Sequence, residues 1–347
     1  MTTAFPGRVT IERFPYDPVS WDAIAAAHPE AEVYHGPGWL AYLEDTQGAE
    51  IVTAAVRQDG QQVGYLVGGV VRRYGLRILG TPMSGWTTPR MGFLLRPGAD
   101  RVAAARALRT FAYRNLGCIH VELGDMHLSP EDAVSSGYAV EAGRTFLVDL
   151  MRPEDEILKA MNATTRNYVR QALRKGWVVE RPTGEGFAAE FHPPLAETFA
   201  RQGLRPTYDE ERVRKLIRHL EPRGEVLLQR VRAADGQAVA WSIAVGTDRK
   251  ATLWGAAFVR SRTDIHPNEI LHWEEMRYWR SRGASTFDFG GGGDYKAKYG
   301  GVETPSARYT SYRLGALRHG RDAARRLFQL RQAMSRGRHQ PDAVAEP

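Results

Sequence analysis

Apolar and polar positions along the chain fall into two runs with the same plan. Residues 51–56 and 63–71 are apolar stretches on either side of Asp59-Gly60, which predicts two strands joined by a tight turn. Residues 225–231 and 238–245 repeat this around Asp235-Gly236. The residues themselves are similar: Val56-Arg57-Gln58-Asp59-Gly60-Gln61 against Val231-Arg232-Ala233-Ala234-Asp235-Gly236-Gln237, with one residue inserted in the second copy. A further strand follows each hairpin, at 76–79 and 251–258. Each run then closes in the same way. A helix over 101–116 is stopped by Gly117 and followed by a strand to 123 and Gly124. A helix over 268–282 is stopped by Gly283 and followed by a strand to 289 and Gly290. Both glycine pairs are seven apart, and an acid holds the same offset, Glu122 and Asp288. The pattern is a duplicated meander, helix and strand, and not a solenoid of short repeats.

Between the copies, Ile157, Leu158, Met161, Thr165, Tyr168, Val169, Ala172 and Leu173 make an apolar stripe that predicts a helix ended by Gly176. Arg166, Arg170 and Arg174 share one side of it, either as a solvated row or as a grip on phosphates. Further helices are predicted over 194–202 and 208–220. Residues 318–338 are rich in arginine, with Ala323, Leu327, Leu330 and Ala333 at helical spacing. That segment suits an anionic membrane surface, RNA, or docking on the body of the protein, and a disordered tail is expected after Gln340. The predicted division is an amino-terminal domain over 1–150, a second domain over 151–315, and a basic helix with tail over 316–347.

Bulk properties narrow this little. A length of 347 residues suits two domains, and 43% hydrophobic with 25% charged residues is the make-up of an ordinary soluble protein. A net charge of +7 and an isoelectric point near 9.5 permit a polyanionic partner. With Cys118 as the only cysteine there is no disulfide framework and no thiolate metal cluster. The amino-terminal residues lack a basic stretch followed by an apolar core, and no apolar run approaches the ~20 residues of a membrane span. A cytoplasmic protein, in contact at most with the inner membrane face, is expected. The histidines lack H-E-x-x-H spacing, so no metal site is expected, and neither a G-x-S-x-G elbow nor a P-loop is present.

The run Phe287 to Gly301 stands apart. Four glycines, Gly290 to Gly293, follow the strand, then Lys296, Lys298, Tyr299 and a second Gly-Gly. Lysine is otherwise confined to Lys159, Lys175, Lys215 and Lys250, so two in one glycine-flanked loop exceed what composition explains. Glycine lets backbone approach a ligand, and an ammonium suits an oxyanion or a phosphate. The first copy has neither the extra glycines nor the lysines.

Together these features resemble the FemAB-type branch of the GNAT acyltransferase superfamily. The resemblance rests on Pro267-Asn268-Glu269-Ile270-Leu271-His272-Trp273-Glu274, then Gly283, Phe287-Asp288-Phe289-Gly290-Gly291 and Tyr295-Lys296-Ala297-Lys298-Tyr299-Gly300-Gly301. The stretch Thr164-Thr165-Arg166-Asn167 to Gly176 is also similar to a family motif. The resemblance implies an α/β (α+β) fold of two tandem GNAT-like domains, each a mixed, mostly antiparallel twisted sheet flanked by helices, with the first a degenerate copy. It implies transfer of an acyl or aminoacyl group from charged tRNA or acyl-CoA to an amine of a cell-envelope or peptide precursor, with no tightly bound cofactor. An acyl-CoA-dependent N-acetyltransferase of polysaccharide or natural-product biosynthesis keeps the same fold. A non-catalytic RNA- or lipid-binding module is the reading from another class. The family pattern points to Lys296 as electrostatic stabiliser, and to Asp288 as general base or as a structural partner of a lysine. Arg166, Arg170, Trp254, Asn268, Gly291, Tyr295, Lys298 and Tyr299 are the expected substrate contacts. Two departures stand out. The spacing from Gly293 to Lys296 is short for the peptidoglycan enzymes. The glycine-bearing pyrophosphate signature is replaced by Arg260-Ser261-Arg262-Thr263-Asp264-Ile265-His266-Pro267, which disfavours acetyl-CoA as donor.

Overall fold

The computed structural model describes residues 7–201, 203–259, 266–291 and 293–314, so the expected basic helix and residues 260–265 lie outside the described residues. The first half contains β1 (Val9–Phe14), α1 (Pro18–Ala27), α2 (Pro37–Gln47), β2 (Glu50–Gln58), β3 (Gln61–Arg73), β4 (Leu76–Thr81), β5 (Phe93–Leu95), α3 (Arg101–Thr110), β6 (His120–Gly124), α4 (Pro130–Ser135), β7 (Ala139–Glu141) and β8 (Arg144–Asp149). Next come α5 (Glu154–Ala160), α6 (Ala163–Arg174), β9 (Val178–Glu180), α7 (Phe187–Ala200) and α8 (Glu210–Leu220). The second meander is β10 (Val226–Arg232), β11 (Ala238–Gly246) and β12 (Lys250–Phe258), followed by α9 (Pro267–Ser281), β13 (Thr286–Asp288), β14 (Val302–Pro305) and β15 (Arg308–Tyr312).

The strands form two mostly antiparallel sheets flanked by helices. The first runs β1-β2-β3-β4-β6-β15-β7, with β5 on β3, and the second runs β14-β8-β13-β12-β11-β10-β9. The pairs β4–β6 and β12–β13 are the parallel ones, each bridged by a helix, as the duplicated plan requires. The sheets also exchange strands. β8, from the end of the first run, pairs with β13, and β15, from the end of the second, pairs with β6. Both exchanged strands are antiparallel to their hosts and cross the sequence boundary expected near residue 150.

Local chemistry explains most element ends. Asp59 and Gly60 have φ of 51° and 81°, the left-handed turn that the Asp-Gly pair favours. Asp100, Asn162 and Asp209 accept hydrogen bonds from Ala103, Thr165 and Arg212 amides and so cap α3, α6 and α8. The single helix expected over 157–176 is two helices, because Asn162 caps a new start and Met161 is extended between them. Leu173 is exposed and does not belong to the stripe. The helix expected from 194 begins at Phe187, since the buried positions Phe187, Ala188, Phe191 and Leu195 carry it through Pro193 and Pro194. The helix expected to 116 is α-helical only to Thr110 and then widens into a π-turn over Phe111–Asn115.

Each sheet packs one face on its own helices. Leu108 and Phe111 cover Val52, Leu66 and Val121 in the first, while Ile270, Leu271 and Met276 cover Leu227, Ala240 and Ala244 in the second. A third core joins the halves, with Trp21, Trp39 and Leu43 meeting Phe191, Leu216, Ile217 and Ile243. The two copies therefore share a buried apolar interface, which favours their association.

Candidate active site

β12 and β13 stay in register only as far as Thr252 opposite Asp288. Beyond that point they part and open a cleft of about 380 Å³. Thr252, Leu253, Trp254, Phe289, Gly290, Gly291 and Lys296 form one side, and Tyr34, Gly85 and Thr87 to Pro89 from the first half form the other, with Thr207 and Arg308 at the margin. A β-bulge sits at its wall. Ile243 faces Gly255 and Ala244 faces Leu253, which leaves Trp254 as the extra residue. Bulges re-aim side chains beside sites, and here the indole lies against Tyr208, tilted by 32° with 4.1 Å between ring centres. Its Nε1 is buried without a hydrogen-bond partner among the described residues. No sequence signal marks this bulge.

The corresponding opening in the first half is filled. β4 and β6 pair through Thr81 and Leu123, and the chain then loops back so that Met91 bridges Gly124. The loop lies so close that a Cβ on Gly124 would meet the Pro89 carbonyl oxygen at 2.9 Å. β3 and β4 pair without a register shift. The first copy thus lacks the opening, the bulge and the lysine loop.

Asp288 is fully buried, at 0% exposure. Its Oδ1 accepts from the Thr145 hydroxyl and, at 2.7 Å, from the Gly290 amide. Its Oδ2 accepts from Arg90 Nη1 at 2.7 Å. The general-base role is corrected on this ground: both oxygens are engaged and neither reaches the cleft. Asp288 pairs with Arg90 of the first half and not with a lysine. Arg90 continues to Glu32 at 2.6 Å, and Lys250 Nζ reaches Glu32 at 3.2 Å. Burial opposes the Glu32 charge, but Arg90 and Lys250 together hold its carboxyl down at about 2. Burial lowers the Lys250 ammonium, against the pull of Glu32. Glu122 holds the equivalent place in the first half and is approached by Arg308 of the second at 3.4 Å. Each copy's strand-end acid therefore meets an arginine from the other copy. Arg90 lies in a segment without periodicity, so the sequence gives no sign of it.

Lys296 lines the cleft and is 9% exposed. Its Nζ donates to the carbonyls of Phe289 (2.6 Å), Gly290 (3.3 Å) and Gly291 (2.7 Å), which gathers the glycine loop around one ammonium. Burial lowers its pKa, partly offset by Asp288. It sits in a 3-10 turn, Asp294–Tyr299, that ends at Gly300, where φ is 81° and a Cβ would meet Ala160 backbone at 2.9 Å.

Several expected contacts lie elsewhere. Lys298 pairs with Glu269 at 2.7 Å, so its charge is already answered. Tyr299 is a core residue stacked on Phe289 at 4.9 Å. Tyr295 is 61% exposed and outside the cleft lining. Arg166 donates to the carbonyls of Lys159 and Met161, closing the end of α5, and Arg170 points to solvent. Asn268 stands inside the first turn of α9 and is not its cap, and its Oδ1 is buried without a partner among the described residues. His266 stacks on Tyr168 at 3.7 Å. Cys118 is buried, which pushes its thiol up to about 11. Among the described residues no group of three or more His, Cys, Asp or Glu is placed to hold a metal, and no helix is long and apolar enough to cross a membrane. Trp254, Gly291 and Lys296 are the expected contacts that the fold brings together.

The parted parallel strands, the bulge and the helix behind them lie largely within residues 159–299, which match the family described as acetyltransferase (GNAT) domain. The fold is similar to that of FemX, with a TM-score of 0.69 at 16% identity over 92% of this chain and 100% of that one. It is also similar to a tandem GNAT protein from the clavulanic acid biosynthesis pathway (TM-score 0.52, 14% identity, 88% and 98% covered). A Bacteroides thetaiotaomicron protein of unknown function has the same shape (TM-score 0.51, 11% identity, 87% and 99% covered). No curated protein matches the sequence.

Proposed function

We propose that the second half transfers an acyl or aminoacyl group to an amine held in the cleft between the halves. One observation carries this: the opening between β12 and β13 is filled by none of the described residues and is lined by the bulged Trp254, the glycine loop and Lys296, while its counterpart in the first half is filled by its own chain. A donor enters between the parted strands, and the acceptor approaches from the side of Tyr34 and Thr87. Holding both there supplies much of the rate through proximity. The tetrahedral oxygen is stabilised by fixed charge and dipoles. Lys296, its donors committed to three carbonyls, acts by its field and by holding the loop.

Among the described residues no carboxylate or imidazole lines the cleft, and burial raises the Tyr34 phenol well above its usual range. The amine therefore arrives neutral. The pH–rate profile is expected to rise with the pKa of the acceptor used, and to move when one amine is replaced by another of different basicity. A profile fixed at one pKa for all acceptors contradicts this.

The resemblance of residues 267–301 to the FemAB-type branch supports charged tRNA as donor and a cell-envelope or peptide precursor as acceptor, and the fold shared with FemX agrees with that branch. The GNAT family match supports acyl-CoA as the second reading. Incubation with labelled aminoacyl-tRNA and with an acyl-CoA panel separates them. Label passes to amine only from tRNA in the first case, and free thiol is released in the second. If neither gives product and nucleic acid binds with a steep salt slope, the protein is a binding module instead.

A further inference from the structure

Among the described residues two cationic side chains line the cleft, Lys296 and Arg308, and no aspartate or glutamate does. Lys296 has its donors committed to loop carbonyls. Arg308 differs. It is the first residue of β15, opposite Gly124 in register, so the strand exchange delivers a guanidinium from the end of the second run to the mouth of the cleft. Its Nη1 donates to the Pro82 carbonyl at 3.1 Å and lies 3.4 Å from Glu122 Oε2. Glu122 is already engaged by the Ser84 amide at 2.7 Å and by His120 at 3.1 Å. Arg308 Nε and Nη2 make no hydrogen bond with the described residues, and the side chain is 24% exposed. Nη1 is anchored, the Nε–Nη2 edge has no partner among the described residues, and Arg308 lines the cleft.

We infer that Arg308 is a specificity residue that binds an oxyanion, a carboxylate or a phosphate, carried by the acceptor. A half-anchored guanidinium offers two parallel donors in fixed geometry, the arrangement that planar oxyanions match. Lys296 and Arg308 are the charged side chains lining the cleft among the described residues, and both favour an anionic over a neutral amine. The acceptor is the partner in question because of where the cleft opens. α9 packs on the sheet face of Leu227, Ala240 and Ala244, whereas Trp254 and Tyr208 at the cleft pack with Trp241 and Ile243 on the opposite face. A donor held at the α9 side leaves the Arg308 side to the acceptor. The inference rests on the acyltransferase reading of this cleft.

Calorimetric titration of the full chain, without donor, tests it with two matched pairs of amines: L-lysine against cadaverine, and glucosamine 6-phosphate against glucosamine. The anionic member of at least one pair is expected to bind about 10- to 100-fold tighter than its neutral partner. The pair that shows the difference tells a carboxylate from a phosphate. Arg308→Gln is expected to erase the difference and leave the affinity for the neutral amine unchanged. Arg308→Lys keeps the charge but not the fork, so it is expected to retain a reduced preference, and it serves if Arg308→Gln fails to fold. The inference is overturned if the wild-type protein shows no preference in either pair, including by binding none of the four. It is equally overturned if Arg308→Gln, or Arg308→Lys in its place, keeps the full preference. Because no donor is present, the result stands whether or not acyl transfer is found. Transfer to neutral and anionic amines at equal affinity sinks this inference and leaves the acyltransferase intact.

Discussion

Asp288 and Lys296 are neighbours in the sequence pattern and opposites in the structure. Asp288 faces inward to Arg90 of the other half, and Lys296 turns back on its own loop. Losing Arg90 leaves a buried carboxylate unpaired, so Arg90→Met is expected to destabilise the fold by about 3–5 kcal/mol. The double variant with Asp288→Leu is expected to lose less than the sum of the single changes, as read by urea unfolding. Glu32 gives the network a pH signature. Its ordinary pKa of 4.5 in the unfolded chain falls to about 2 in the fold, so it stabilises the protein above 4.5. That contribution, on the order of 3 kcal/mol, is lost as the pH falls from 4.5 through 2. The unfolding midpoint should therefore drop over that window in the wild type and less steeply in Glu32→Gln. The lysine loop was legible because six lysines in 347 residues make a pair conspicuous. Arg90 and Glu32 were not, because a single arginine or glutamate in an aperiodic segment looks like any surface charge until the fold buries it.

Strands and helices whose burial repeats at a fixed period could be read from the chain, and those fixed by a distant neighbour could not. The hairpins around Asp59-Gly60 and Asp235-Gly236 follow from local turn chemistry. The break between α5 and α6 depends on Asn162, whose amide also donates to the Lys298 carbonyl at 3.0 Å, a contact with the lysine turn. The bulge at Trp254 depends on Tyr208, which fills the space beside Gly255 so closely that a Cβ there would lie 2.3 Å from its hydroxyl. The lysine turn is similarly wedged. Gly300→Ala must place a side chain at positive φ against Ala160 backbone, and is expected to cost about 1–3 kcal/mol in thermal or chemical unfolding. An unchanged midpoint would mean that α5 and the turn are not pressed together as described.

At the scale of the molecule the duplication is visible in the sequence, while the exchange of β8 and β15 between sheets is not, since pairing between strands over a hundred residues apart leaves no local trace. The exchange gives the duplication a division of labour. The first copy closes its own opening with the loop ending at Met91 and lends Tyr34, Thr87 and Thr88 to the cleft, and the second keeps its opening free. The central claim is that acyl transfer occurs at that free opening. The direct test is the single-turnover rate of label transfer from donor to amine by the wild type and by Lys296→Ala, with the fold of each checked by circular dichroism. A folded Lys296→Ala protein slowed by about 10²–10³ is the predicted result. Transfer at the wild-type rate by that variant would place the chemistry somewhere else.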